Sequence, residues 1–295
     1  MPGTPADGTF AETAFGTYDR TQGDRVMRKK NTDMKIATFN VNGIRARVPV
    51  ITAFLQKQKP DVLCMQETKV VDEQFPRADF EELGYEVVFR GEKSYNGVAI
   101  ASRLPMEKIE AGFSDGEPRD ETRLLKCEIA GIVIINTYVP QGRDVTSDYF
   151  RYKLDWFTRL REFIEHRWNP RKRILWVGDM NVAPEPRDVY DPVGLRNHPD
   201  FHEDARAALA RAMQFGFVDL LRLHNDDDGQ YTYYDYRNPK ALEHNSGWRV
   251  DLMLATRPLA ASCTACWIDL QPRLMDKPSD HTPVLAEFNL KGRGP

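Results

Sequence analysis

Short apolar runs of strand length recur along the chain, and several break off abruptly into polar residues. The sharpest case is WVGDMN at 176–181: an aliphatic run (Ile174, Leu175, Trp176, Val177) stops at a glycine and then presents Asp179 and Asn181. Side chains alternate along an extended chain, so these two polar groups face the same way as a pair. Gly, Asp and Asn are also ordinary turn formers. The motif therefore reads either as a plain strand exit or as the floor of a site, and the rest of the chain has to decide. From Met34 on, KIATFNVN, DVLCMQET, YEVVFR, NGVAIAS, TRLLKCEIA, IVIINTYV, RILWVGDMN, WRVDLMLAT, SCTACWIDL and PVLAEFNL read as strands. TRLLKCEIA and IVIINTYV should form a hairpin around Gly131. Helices are expected in PVITAFLQKQK, around DARAALARAMQFG, and in SDYFRYKLDWFTRLREFIEHRW. In the last, Ser147 is the N-cap and Phe150, Leu154, Phe157, Leu160, Phe163 and Ile164 form the apolar side. Many neighbouring strands with few helices predict sheets packed face to face and covered by helices.

At 295 residues the chain is near the upper size for one core. No linker interrupts it after Met34, so residues 34–291 are expected to form one domain. Residues 1–33, rich in Gly, Thr, Pro, Ala and balanced charge, are expected to be a disordered N-terminal tail, and 292–295 a short C-terminal one. The net charge of -3 gives no global basic signature, so nucleic-acid binding would need a local patch. No apolar stretch is long enough for a membrane span. Cys64 and Cys127 lie in apolar strands and should be buried thiols. Cys263 and Cys266 lack the second pair a structural zinc site needs and, three apart on a strand, face opposite ways. A reducing, cytoplasmic setting (nucleoid-associated in a prokaryote) is the expectation.

Polar strand ends recur: Asn40 and Asn42, Gln66 and Glu67, Tyr138 and Gln141, Asp179 and Asn181, with Asp280 and His281 just before the last strand. Such ends converge where loops meet, a common place for active sites. Asp251, placed in mid-strand by WRVDLML, needs a partner or a metal, because a buried lone carboxylate is costly. His281 is the best-placed partner. Carboxylates and carboxamides without a thiolate cluster suit magnesium or manganese rather than zinc. An imidazole held by an acid suits work on a phosphate or a water.

Taken in order, FNVNGIRAR, DVLCMQETK, YNGVAIAS, YVPQG, WVGDMNVAP, DYR…GWRVDLMLA and KPSDHTPV make the chain resemble the exonuclease III-type apurinic/apyrimidinic endonucleases of the endonuclease/exonuclease/phosphatase superfamily, over residues 34 to 290. The resemblance implies an α/β (α+β) four-layer sandwich of two mixed sheets flanked by helices. It implies Glu67 as the main metal-binding carboxylate, with Asn40 beside it and Asp280 as a second acid. His281 and Asp251 are implied as the coupled pair on the scissile phosphate. Asp179 is implied as the acid serving the attacking water or the leaving oxygen, with Asn181 and Tyr138 on the phosphate. The implied cofactor is Mg2+, with Mn2+ as a substitute.

The superfamily also holds phosphatases, sphingomyelin hydrolases and deadenylases, so the surround must discriminate. YTYYDYRNPKALEHNSGWRVD places Tyr233, Trp248 and Val250 where the DNA-repair members form a pocket for a base-less sugar, with Arg237 beside it. Tyr233 and Tyr234 stand where Phe or Trp is frequent, leaving two hydroxyls to satisfy. Arg45, Arg47, Lys69, Gln141, Arg143 and Lys240 are candidates for duplex contacts. The implied enzyme is a monomeric repair phosphodiesterase acting on double-stranded DNA at abasic sites and damaged 3′ ends, without membrane contact. A catalytically silent DNA-binding scaffold is the alternative from another class, and the complete set of acids, amides and histidine weighs against it.

Overall fold

The computed structural model describes residues 33–116 and 120–290. Nearly all of the expected 1–33 tail, and the 292–295 tail, lie outside them. Asp33, assigned by sequence to the tail, is the first residue of a strand and pairs with Asn289.

The alternation of apolar residues builds two six-stranded sheets. One has the order β11 (Cys263–Ile268), β12 (Val284–Asn289), β1 (Asp33–Asn40), β2 (Val62–Gln66), β4 (Val98–Ser102), β3 (Glu86–Arg90). The other runs β5 (Glu107–Ala111), β6 (Leu124–Ile129), β7 (Ile132–Tyr138), β8 (Ile174–Asp179), β10 (Asp251–Thr256), β9 (Phe217–Asp219). Each is mixed, with one parallel pair: β1 with β2, and β7 with β8. Parallel neighbours need a crossover. Here α1 (Ile44–Gln58) joins the first pair and α3 (Asp148–Arg167) the second. The β6–β7 hairpin forms as expected; its two-residue turn, Ala130-Gly131, has positive φ at both positions, which suits the strand twist.

Successive residues of one strand go to different cores. Ile36, Val62, Cys64, Ile134, Leu175, Val177 and Met253 fill the layer between the sheets. Ala37, Leu63 and Ala99 pack outward against Val50, Ile51, Phe54 and Leu55 of α1. Ile135, Trp176 and Leu254 pack outward against α3 and α4 (Glu203–Met213). The result is the helix–sheet–sheet–helix sandwich, completed by the short helices α2 (Arg77–Glu81), α5 (Leu220–His224) and α6 (Arg257–Ala260).

Two further boundaries differ from the sequence reading. Helix α1 starts at Ile44 rather than Pro49, with Pro49 inside it. Its first amides find acceptors outside the helix: Gly43 donates to Glu67 O (2.7 Å) and Ile44 to Thr68 O (3.0 Å), which extends the helix back to the β1 loop. Asp251 is the first residue of β10, not a mid-strand residue, because Trp248 instead bridges to Val189 and Tyr233. Two strands have no counterpart in the sequence reading: β5, whose EKIEA has too few apolar residues to signal one, and β9, only three residues long.

All free ends that matter lie at one edge of the sandwich. β1, β2, β7 and β8 finish there, β10 enters antiparallel to β8, and β12 begins antiparallel to β1. Close to that edge the inter-sheet layer turns polar. Gln66 Nε2 donates to Asn136 Oδ1 on the other sheet (2.6 Å), and Asn136 Nδ2 donates to Met65 O and Ala99 O (3.0 Å each). All of these groups are buried, so each relies on its partner. Replacing Asn136 by Leu should cost about 2 kcal/mol: Gln66 Nε2 keeps Thr38 Oγ1 as an acceptor (2.9 Å) but one of its buried N–H groups loses its partner. A lower urea midpoint with unchanged slope is the expected result, and an unchanged midpoint would refute the bridge.

Candidate active site

The parity of β8 answers the question that WVGDMN poses. Leu175 and Val177 face the inter-sheet layer, and Asp179 continues that side. Gly178 sits at φ 132°, where a Cβ would lie 1.9 Å from Thr137 O, so only glycine lets β8 approach β7 here. Asn181 follows in the left-handed region at φ 47°. Its backbone N–H donates to Asp179 Oδ1 (2.8 Å) and its Nδ2 to Val139 O (2.8 Å). The carboxylate and the amide are thus tied together at the strand exit.

The same parity carries Asn40 inward from β1, and its Nδ2 donates to both Glu67 Oε1 and Asp179 Oδ2 at 2.8 Å. Glu67 breaks the β2 alternation by a left-handed backbone (φ 53°), which leaves Gln66 to the core and turns the acid to the cleft. Lys69 Nζ lies 2.6 Å from Glu67 Oε2 and 2.5 Å from Asn42 Oδ1, and Asn42 Nδ2 donates to Asp280 Oδ1 (2.8 Å). From the opposite strands, His281 Nδ1 meets Asp251 Oδ2 at 2.8 Å while Nε2 lies 3.9 Å from Asp179 Oδ2. Ser279 fixes this turn: its hydroxyl donates to Asn40 O (2.8 Å) and accepts the His281 N–H (3.2 Å). Asp251 Oδ1 is buried and finds no hydrogen-bond donor among the described residues.

The electrostatics follow from this crowding. Burial pushes the Asp179 carboxyl up, with Asp251 and Glu67 adding to it against the opposing charge of His281. Burial disfavours the His281 cation, yet Asp251 at hydrogen-bond distance, together with Asp179 and Asp280, raises its pKa. Burial also opposes ionisation of Glu67, but Lys69 and the Asn40 amide outweigh it and hold the pKa below the usual carboxylate value. Tyr138 is kept a phenol by burial and by the neighbouring Glu67 and Asp179.

A cleft of about 560 Å³ opens above these groups. Of the residues expected from sequence, Glu67, Lys69, Tyr138, Gln141, Asn181, Arg237, Asp280, His281, Tyr233, Trp248 and Val250 line it. Asn40, Asp179 and Asp251 lie buried beneath, within the hydrogen-bond network of those lining groups. Arg45 is exposed on α1 and is not among the lining residues. Tyr233 packs on His281 (ring centroids 4.9 Å), and Trp248 packs on His198 (4.6 Å). Tyr234 turns away into a small cluster with Tyr231 and Ala241, its hydroxyl donating to Asn245. His198 and Asp200 also line the cleft, on a stretch with no strand pattern to announce them.

For a metal, one ligand atom each from Glu67, Asp179 and His281 lies within 4.8 Å of the others. Of the three expected ligands only Glu67 belongs to that group: Asn40 directs its amide N–H at it, and the Asp280 carboxylate is held by Asn42. Carboxylate oxygens dominate the set, which fits a small hard divalent cation.

Comparison with known proteins gives the family and the fold. Residues 37–281 match the Endonuclease/Exonuclease/phosphatase family. The chain belongs to that family. Within it, the chain is 34% identical over 269 residues to exodeoxyribonuclease III of Haemophilus influenzae, covering 86% of this chain and all of that protein. An AP endonuclease structure from Archaeoglobus fulgidus superposes with a TM-score of 0.85 at 52% identity, covering 87% of this chain and 99% of that one. A 3′ phosphatase from Neisseria, solved with a product DNA hairpin, superposes with a TM-score of 0.82 at 33% identity, covering 86% and 99%. The family's fold is the two-sheet sandwich described above.

Glu67→Gln removes one anionic group of this candidate set and should weaken Mn2+ binding at least about tenfold without unfolding the protein. Isothermal titration of the metal checks this, and unaltered affinity would place the cation elsewhere.

Proposed function

We propose that this phosphoric-ester hydrolase cuts the backbone of duplex DNA on the 5′ side of abasic sites, leaving a 3′-hydroxyl and a 5′ sugar phosphate, and trims blocked or damaged 3′ ends by the same chemistry. The observation that carries the reading is the junction of two surfaces. The wall made by Tyr233, Trp248 and Val250 adjoins His281, and His281 adjoins Asp179. A base-less sugar brings little bulk and is cheap to unstack, so it suits such a wall while its phosphate meets the imidazole.

The chain's own groups divide the work. With Nδ1 committed to Asp251, His281 turns Nε2–H to a non-bridging phosphate oxygen; the raised pKa keeps that donor charged. Tyr138, protonated, and Asn181 contribute further donors to the same phosphate. Asp179, its pKa raised by burial, takes the proton of the attacking water as the bond to phosphorus forms and the bond to the 3′ oxygen breaks, and the departing 3′ oxygen takes a proton from solvent water to become the 3′-hydroxyl. Glu67, with Asn40 and Asp280 nearby, would hold Mg2+ or Mn2+, which when bound neutralises phosphate charge and stabilises the displacement. Lys69, Arg143 and Arg237 bring positive charge to the cleft for flanking phosphates, beside the acids Glu67, Asp200, Asp235 and Asp280 that line it with them. One chain supplies every group named, so a monomer suffices.

A duplex with one stable abasic analogue should be cut once, 5′ to the lesion, with magnesium and not with a chelator. Asp179→Asn should lower kcat by about a thousandfold while lesion binding persists. Uncut DNA that still binds the wild type would favour a silent scaffold instead.

A further inference from the structure

Lys153 belongs to none of the groups above, yet it lies directly under them. It sits on the sheet-facing side of α3, between apolar neighbours, and is completely buried. Its Nζ lies within hydrogen-bond distance of four acceptors on three separate segments: Gln141 O (3.0 Å) after β7, Asn181 O (2.5 Å) after β8, and Pro199 O (3.0 Å) with Asp200 Oδ1 (2.8 Å) in the turn before α4. Asp200 Oδ2 accepts from Gln141 Nε2 (3.3 Å), so Gln141 is gripped by both its backbone and its side chain. Asp200 O accepts from Ala183 N (2.8 Å), tying the same turn to the loop after Asn181. Gly142, at φ 92°, packs on the lysine stem, and a Cβ there would come within 3.1 Å of Lys153 Cδ.

Filling this space does not require a charge. A buried ion pair is often replaceable by apolar side chains with no loss of stability. Burial also works against the cation: it lowers the lysine pKa despite Asp200. What an ammonium offers, and a thioether does not, is a set of N–H donors that converge loop carbonyls on one point. The loops gathered here carry Gln141 and Asn181, both on the lining of the cleft.

We propose that Lys153, with Asp200 as its counter-ion, is a positioning residue: it sets the placement of Gln141 and Asn181 against the scissile strand, and through Asn181 the orientation of Asp179. This rests on the reading of the cleft as a DNA phosphodiesterase site. Glu67 and His281 are reached from other strands and have no bond to Lys153; of the candidate metal group only Asp179 is reached from it, and only through Asn181.

Three proteins decide the matter: wild type, Lys153→Met, and Lys153→Met/Asp200→Asn, each measured for thermal midpoint, Mn2+ affinity, and kcat and KM on abasic duplex. The single variant leaves a buried carboxylate without its cation and should lose stability as well as activity. The double variant removes that charge; its midpoint should return towards wild type and its Mn2+ affinity should fall far less than its kcat, because Glu67 and His281 are untouched, while kcat stays down about 100-fold, the scale of a small misplacement of reacting groups. Recovery of kcat along with the midpoint would overturn the inference, since the lysine would then serve only the fold. A wild-type chain that leaves the lesion uncut would overturn the functional reading and this inference with it.

Discussion

The cleft hangs on one buried amide. Asn40 is carried by the first strand of one sheet, and its Nδ2 donates at once to Glu67 of the neighbouring strand and to Asp179 of the opposite sheet. Without a shared donor, two carboxylates at this depth would repel and one would be driven neutral or outward. With it, the spacing between the sheets and the spacing between the acids become the same quantity. The apolar layer formed by Ile36, Val62, Leu175 and Val177 holds the sheets at that distance, so packing far from the cleft governs the geometry within it.

The loops at this edge are held by the backbone as much as by side chains. Asn42, Glu67, Lys69 and Asn181 all adopt positive φ, a conformation that non-glycine residues hold at a cost of about 1–3 kcal/mol each. Opposing that cost are fixed hydrogen bonds: Gly43 to Glu67 O, Ile44 to Thr68 O, Asn42 to Asn40 Oδ1, and Asn181 to Asp179 Oδ1. The start of α1 is therefore also part of the acid's mounting. Polar groups placed in this way need little rearrangement when charge develops in the reaction, which is where electrostatic catalysis draws its strength.

Much of this was legible because β-strands encode sides by parity. Asn40, Asp179 and Asp251 continue the inward registers of Ile36, Val177 and Met253, so apolar alternation alone announces that they share a layer. Ser147 announced α3, and the structure shows its hydroxyl accepting the Phe150 N–H. What stayed hidden depends on contacts between distant segments. Lys153 sits beside Leu154 on an amphipathic helix and carries no sign of the three carbonyls that converge on it. Helix α1 begins earlier than Pro49 suggests because its acceptors come from Glu67 and Thr68, twenty and more residues away. Asp251 starts its strand rather than dividing it, because Trp248 pairs with Val189 and Tyr233. His198 and Asp200 reach the cleft from irregular backbone, where no period exists to read.

The sandwich closes by pairing β1 with β12, the first and last strands of the described chain. In consequence the site is stitched from partners very far apart in sequence: Asn40 with Asp179 across 139 residues, and Asn42 with Asp280 across 238. Such long-range contacts form late, after the chain has met the entropy of closing those loops. A half-made chain emerging from the ribosome has neither β8, which carries Asp179, nor the final strand that brings His281. The acids, amides and histidine of a phosphoric-ester hydrolase thus come together only once its last strand has docked, and completion of the fold is what assembles the cleft.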